Sequence, residues 1–407
     1  IAVPRGPVVE LTDALGNLVS GQAVTVSVGT GSALTFTGGT ATTNASGVAT
    51  FTGLVATGAA GDRTLLFTAG TAVSAASNTV TVGAGAPATV TITTQPGTPV
   101  RSGIPFATVP VVTVKDGGAN PVAGQAVTIS VATGGALTFA NGSATTDING
   151  VATFTGLSAT GLVGARTFRF TAGAVNSAAT TSVQVNAGNP ATVAITTQPA
   201  ATVQSGVVFP NPVPAVTVTD SATNVVSGQA VAISVASGNP LTFTNGTATT
   251  NASGVATFTG LVATTTAVGP RTLQFTAGTI VSLPSNTVTV NGGPPATVTL
   301  TTPPPAAVQS GVVFPTVPVV TVTDASANPV VGQAVTVSVA TGSALTFTAG
   351  TATTDANGVA TFTGLVATGL VGNRTLRFTA GAVNATSGTV AVNAELTYAE
   401  LKKKRGA

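Results

Sequence analysis

Short runs in which valine, isoleucine or leucine alternate with threonine or serine recur along this chain. Val24, Val26 and Val28 are separated by Thr25 and Ser27, and Val335, Val337 and Val339 by Thr336 and Ser338. Successive side chains of a strand point to opposite faces, so a period of two predicts strands with one face buried and one solvated. Ala88–Pro96 alternates in the same way, with Val90 and Ile92 set among threonines. In Arg63–Phe67, Leu65 and Phe67 share a face. The position between them is Leu66, and Arg169, Gln274 or Arg377 in three later copies, a tolerance that predicts solvent exposure. Gly, Pro, Asn and Asp separate these runs, as turns require. β-branched residues suit a pleated surface and are stiff in a helix, so the chain is expected to be all-β.

The pattern repeats. Gly-Val-Ala-Thr-Phe-Thr-Gly-Leu stands unchanged at Gly47–Leu54, Gly150–Leu157, Gly254–Leu261 and Gly358–Leu365, at steps of 103, 104 and 104 residues. A step of that length is one domain and not one turn of a solenoid, so the prediction is four beads in tandem, each with its own core. In each copy Ala49, Phe51 and their equivalents point inward. The expected boundaries are residues 1–84, 87–187, 190–291 and 294–393, followed by a basic tail over 394–407. Short joints carry proline: Gly85-Ala-Pro87, Gly188-Asn-Pro190 and Gly292-Gly-Pro-Pro295. Proline stiffens such joints, which predicts a rod with limited bending. The first bead differs from the others. Ile1, Pro7 and Asp13 align with Ile104, Pro110 and Asp116, so the first copy lacks the strand that Ala88–Pro96, Ala191–Pro199 and Ala296–Pro304 supply to the later three.

About seven short strands per copy predict a Greek-key β-sandwich of immunoglobulin type. Cys and Trp are absent and no Tyr falls inside a repeat, so Phe36, Phe51, Phe67 and their equivalents are expected to fill the core. Thr-Thr-Gln-Pro, Val-Thr-Val-x-Asp, Gly-Gln-Ala-Val and Thr-Thr-(Asn/Asp)-x-x-Gly-Val-Ala-Thr-Phe-Thr follow one another in this order. The series resembles the bacterial immunoglobulin-like domains of the invasin and intimin group, over residues 1–393. That resemblance implies an extracellular spacer, adhesin stalk or filament subunit; related modules decorate phage virions. The lectin-like tip domain of those adhesins has no counterpart here.

Composition narrows the chemistry. Charged residues are 6% of the chain, and there is no His, Cys or Met. Ordinary zinc, copper and haem sites are therefore excluded. The net charge of +3 is concentrated in Lys402–Arg405, so the repeats offer no basic stripe for nucleic acid. No run of ~18 apolar residues marks a membrane span, and the first residues show no signal peptide. General acid–base or nucleophilic catalysis needs convergent ionisable groups, which this chain lacks, so it is not expected to be an enzyme and no cofactor is expected.

Calcium is the candidate ligand to weigh. Asp13, Asp116, Asp220 and Asp324 end one strand of each copy, and Asn44, Asp147, Asn251 and Asp355 open a hairpin-type turn, Thr-Thr-Asn-Ala-Ser-Gly in the first copy, with its Gly supplying a positive φ. Calcium takes six or more oxygens, usually with several carboxylates. The turn position exchanges Asn for Asp, so both sets are read as turn residues and not as metal ligands. Arg63, Arg166, Arg271 and Arg374 are expected at strand edges or in weak surface ion pairs.

The tail, Ala394–Ala407, is expected to hold a short helix, because Thr397 and Glu400 fit a capping box. Two accounts of the chain ends remain open. In one, subunits join head to tail by strand donation into the first bead, with Leu396, Tyr398, Leu401, Ile1 and Val3 as the assembly interface. In the other, the chain is a window on a longer one. Taken together the sequence reads as an extracellular or cell-surface rod that associates with itself or with other surface proteins. The alternatives are a module that binds glycan or protein, and a virion appendage.

Overall fold

The computed structural model describes residues 5–394. The described residues are strand, turn and loop, without a helix. The expected tail helix, and Leu396, Tyr398, Leu401, Ile1 and Val3, lie outside them. By their contacts the residues form two compact units, Ile1–Asn189 with Ser221–Asn224, and Pro190–Asp220 with Val225–Ala407.

The second repeat shows the full architecture. Pro87–Thr94, Val111–Asp116 and Val151–Thr153 form an antiparallel three-stranded sheet. A second sheet runs in the order Val100–Arg101, Val183–Asn186, Gly164–Ala172, Ala126–Thr133, Ser143–Thr145, and its first pair is parallel. Thr138–Ala140 pairs with Ser158–Thr160 beside them. The two sheets share one core, in which Val112, Val114, Ala152, Phe154, Phe168 and Phe170 are buried. The third and fourth repeats have the same sheets, as in Thr297–Thr302, Val319–Thr323 and Val359–Thr361. This is the immunoglobulin-like sandwich the alternation predicted. The buried residues of the clusters in the first, second and fourth repeats each come from one repeat, with Ala84 of the first repeat packed at the edge of the second cluster.

Three details differ from expectation. Thr-Thr-Asn-Ala-Ser-Gly was expected to be a hairpin turn. It does form a tight turn, in which Gly47 N donates to Asn44 O at 3.0 Å with Gly47 at φ +67°. The strands on either side nevertheless belong to different sheets, Thr40–Thr42 pairing with Ala23–Thr30 and Val48–Thr50 with Val8–Glu10. The turn is where the chain crosses from one layer to the other. Second, Phe36 and its equivalents Phe139 and Phe347 are only half-buried at the rim of the core, whereas Phe51 and Phe67 sit inside it. Third, Phe106, Phe209 and Phe314 are buried core residues that the pattern did not single out.

Among the described residues, the first repeat has no counterpart of Pro87–Thr94 or Val100–Arg101. Its strand Val8–Glu10 pairs only with Val48–Thr50. Val9 and Leu11 are half-buried there, while the equivalent Val112 and Val114 are fully buried under Val90 and Ile92.

Candidate functional site: the joints between repeats

The recurring feature is not a cleft but two kinds of polar clamp, a buried arginine in all four repeats and an Asp–Asn pair at the joint inside each compact unit. The first clamp is an arginine. Arg63, Arg166, Arg271 and Arg374 were expected at the surface, and all four are buried. The correction has a clear physical basis: each guanidinium replaces water with backbone carbonyls. Arg63 donates from Nε to Ser32 O at 2.8 Å, from Nη1 to Asp62 O at 2.9 Å and from Nη2 to Ala59 O at 2.7 Å. Arg374 does the same with Ser343, Asn373 and Leu370. A planar fork of five donors suits three fixed acceptors, which a lysine cannot reach together. The clamp fixes the loop that precedes the arginine, residues 58–61 in the first repeat.

The second clamp grips that loop from the next repeat. In the first unit, the Asp116 carboxylate accepts from the N–H groups of Gly118 at 2.9 Å and Asn120 at 2.8 Å through Oδ1. Its Oδ2 accepts from Asn120 Nδ2 at 3.0 Å and from the linker amide of Gly85 at 2.7 Å. Held in this way, Asn120 reaches back across the joint. Its Nδ2 donates to Gly58 O at 2.9 Å, and its Oδ1 accepts from Ala60 N at 2.7 Å. The strand-end aspartate, read from sequence as a turn residue, therefore also fastens the linker. The asparagine four residues on is the residue the sequence reading missed. The signal was present, since Asp13/Asn17, Asp116/Asn120, Asp220/Asn224 and Asp324/Asn328 keep one spacing.

The second unit repeats the device with a flaw. Asp324 Oδ2 accepts from Gly293 N at 2.7 Å, and Asn328 Nδ2 donates to Asp324 Oδ2 at 2.9 Å and to Thr265 O at 2.6 Å. A side chain on Gly292 would run into the Pro329 carbonyl oxygen, so the linker passes where only glycine fits. Here, however, Asn328 Oδ1 is buried without a partner, and so is Arg271 Nε. The loop from Leu261 to Arg271 is one residue longer than its siblings. Ala267 N turns inward to Thr265 Oγ1 at 3.1 Å instead of crossing the joint. A buried polar atom left unpaired costs about 1–3 kcal/mol. Deleting Thr266 restores the common length and is expected to stabilise this unit by about that amount, read as a raised midpoint in chemical denaturation.

These clamps carry a pH signature. Burial raises the Asp116 pKa, but the bonds from the Asn120 side chain and from the Gly85, Asn120 and Gly118 amides outweigh it, and the net shift is below the ordinary 3.8. Asp324 is lowered in the same way against the same burial, by Asn328, Gly293 and Ser326. The unfolded chain thus takes up these protons at a higher pH than the folded one. Their stabilisation is complete above about 3.8 and is lost as pH falls through the lower folded values. Thermal midpoints should drop as pH falls below about 3.8, and the drop should be smaller in an Asp116→Asn, Asp324→Asn double variant.

The turn set behaves as sequence predicted. Asn44 Oδ1 accepts from Ser46 N at 2.8 Å and Val48 N at 3.1 Å, and Asp147 Oδ1 accepts from Asn149 N at 2.8 Å and Val151 N at 2.9 Å. One oxygen makes both bonds, which is why Asn and Asp exchange freely. Among the described residues, no group of three or more acidic side chains is placed to hold a metal ion. No helix of the described residues is long and apolar enough to cross a membrane.

No family model matches the chain, and no curated protein matches it. Solved structures do. An Escherichia coli adhesin, FdeC, aligns at 21% identity and TM-score 0.39, covering 77% of this chain and 100% of that one. Invasin, a bacterial integrin-binding protein, aligns at 15% identity and TM-score 0.28, covering 97% and 78%. This chain resembles bacterial adhesins built of immunoglobulin-like repeats. The titin domains I67–I69 also align, at 12% identity and TM-score 0.33 over 77% and 100%. At these values the likeness concerns the fold and carries no argument about what the chain does.

Proposed function

We propose that this chain is an extracellular structural spacer, a stalk or fibre segment at a bacterial surface, made of four sandwiches spanning residues 1–84, 87–187, 190–291 and 294–393. The observation that supports it is the recurrence of one joint. In each compact unit, an Asp–Asn clamp ties the linker amide and the preceding repeat's loop to the following sandwich. Such bonds restrain bending without any reactive group, and the same residues recur from copy to copy. A binding site for glycan or protein would set one repeat apart, and the repeats differ little. Association with further copies or with other surface proteins would extend the same stalk.

The test is to remove one repeat in register. A deletion of residues 104–206 joins Gly103 to Val207 at equivalent positions. Small-angle X-ray scattering should show a folded chain whose maximum dimension is shorter by roughly a quarter, one domain of four. An unchanged dimension or an unfolded product would refute the spacer.

A further inference from the structure

The first repeat carries both halves of a joint on its outer side. Asp13 Oδ1 accepts from Leu15 N and Asn17 N, both at 2.9 Å, and Asn17 Nδ2 donates to Asp13 Oδ2 at 3.0 Å. This is the Asp116/Asn120 clamp, already assembled. Asn120 and Asn328 are buried by the loop they grip, at 7% and 1% exposure, whereas Asn17 is exposed. Beside the clamp lies a groove of about 180 Å³ lined by Val9, Leu11, Val24, Phe67, Ala69 and Val73. Val73 is 59% exposed, and Phe67 and Ala69 are less buried than their fully covered counterparts Phe170 and Ala172.

The other repeats show what fills such a groove. In the second, Pro87–Thr94 pairs along Val111–Asp116 and buries Val90. In the third and fourth, Thr192–Thr197 and Thr297–Thr302 do so with Val193 and Val298. In the second and fourth repeats, strand and gripped loop come from one continuous stretch: a preceding sandwich supplies the loop, then the linker amide, then the strand. The two features of the first repeat thus point to one occupant.

We propose that the outer face of the first repeat is a docking seat that fits another repeat of this same kind joined to it through a linker. That repeat delivers a Val-x-Ile/Leu strand alternating with threonine into the groove along Val8–Glu10. It also presents a Gly-x-Ala/Val loop to Asn17 and a linker glycine amide to Asp13 Oδ2. An unpaired strand edge offers the backbone donors and acceptors, and the alternating apolar side chains give the register. This rests on reading the repeats as links of a spacer, yet it can fail alone, because a four-bead spacer needs no fifth bead.

The experiment adds a copy of residues 1–103 ahead of Ile1, which keeps the register, and follows hydrogen exchange by mass spectrometry in the full chain. Amides of Val8–Leu11 and of Phe67–Ser74 in the original first repeat should exchange at least tenfold more slowly than in the parent. Asn17→Ala should reverse part of that protection in the extended chain while changing the parent little. Unchanged exchange on extension would overturn the proposal. So would a parent chain that dimerises through Val8–Leu11, because a second copy would then hold the seat. A synthetic peptide of residues 87–103 supplies an independent probe: saturable protection of the same amides supports the seat, and protection elsewhere on the chain contradicts it.

Discussion

Replacing Arg166 with alanine is expected to destabilise the second repeat by about 3 kcal/mol or more, because a hydrogen bond to a charged group contributes about 1.5–3 kcal/mol and three are lost. Arg166 is buried and donates to Gly135 O at 2.8 Å, Ala165 O at 3.0 Å and Leu162 O at 3.0 Å. Alanine would strand those carbonyls and free the loop that they belong to. Lysine should recover little, since one ammonium on a flexible stem cannot serve three separated acceptors. Hydrogen exchange across residues 158–172 reads the effect directly. If lysine matched arginine there, the guanidinium would be a surface charge after all.

Phe170→Ala should cost about 3–5 kcal/mol, the range for truncating a buried phenylalanine. Phe170 is fully buried, with its ring centroid 5.0 Å from that of Phe154. The cluster around it contains residues of the second repeat, with Ala84 at its edge. The melting transition of that repeat should therefore move down alone, while the cluster of Leu376, Phe378 and Phe362 in the fourth repeat keeps its stability. Differential scanning calorimetry should show one transition leaving the others behind. A downward shift of the whole profile would mean that the repeats do not hold separate interiors.

Much of this was legible in the alternation. Ala49 and Phe51 were placed inward by a period of two, and both are buried. The offset of the first repeat was visible in the sequence, and among the described residues nothing pairs along the outer edge of Val8–Glu10, where Val9 and Leu11 are half-buried. What escaped were the polar contacts between residues distant in sequence. Arg63 meets Ser32, 31 positions away, and Asn120 meets Gly58, 62 positions away. A solitary arginine at a strand start looks like surface because nothing local tells which carbonyls will surround it. Asp116 looked like a turn residue and is one, with Gly118 and Asn120 as its turn partners. Its second oxygen takes the linker amide of Gly85 as well as the Asn120 side chain, and only the folded joint shows that. Phe106 escaped for another reason: it lies in a Pro-rich stretch without alternation, so periodicity gave it no face.

The most direct test is native-state hydrogen exchange on the full chain carrying Asp324→Ala. If sandwiches with separate cores are fastened by the clamp, the amides of Gly293, Ser326 and Asn328 should exchange faster, and those of Leu376 and Phe378 should stay protected. Faster exchange through the core strands of the third and fourth repeats together would contradict the account, because it would show that the clamp holds up a shared interior.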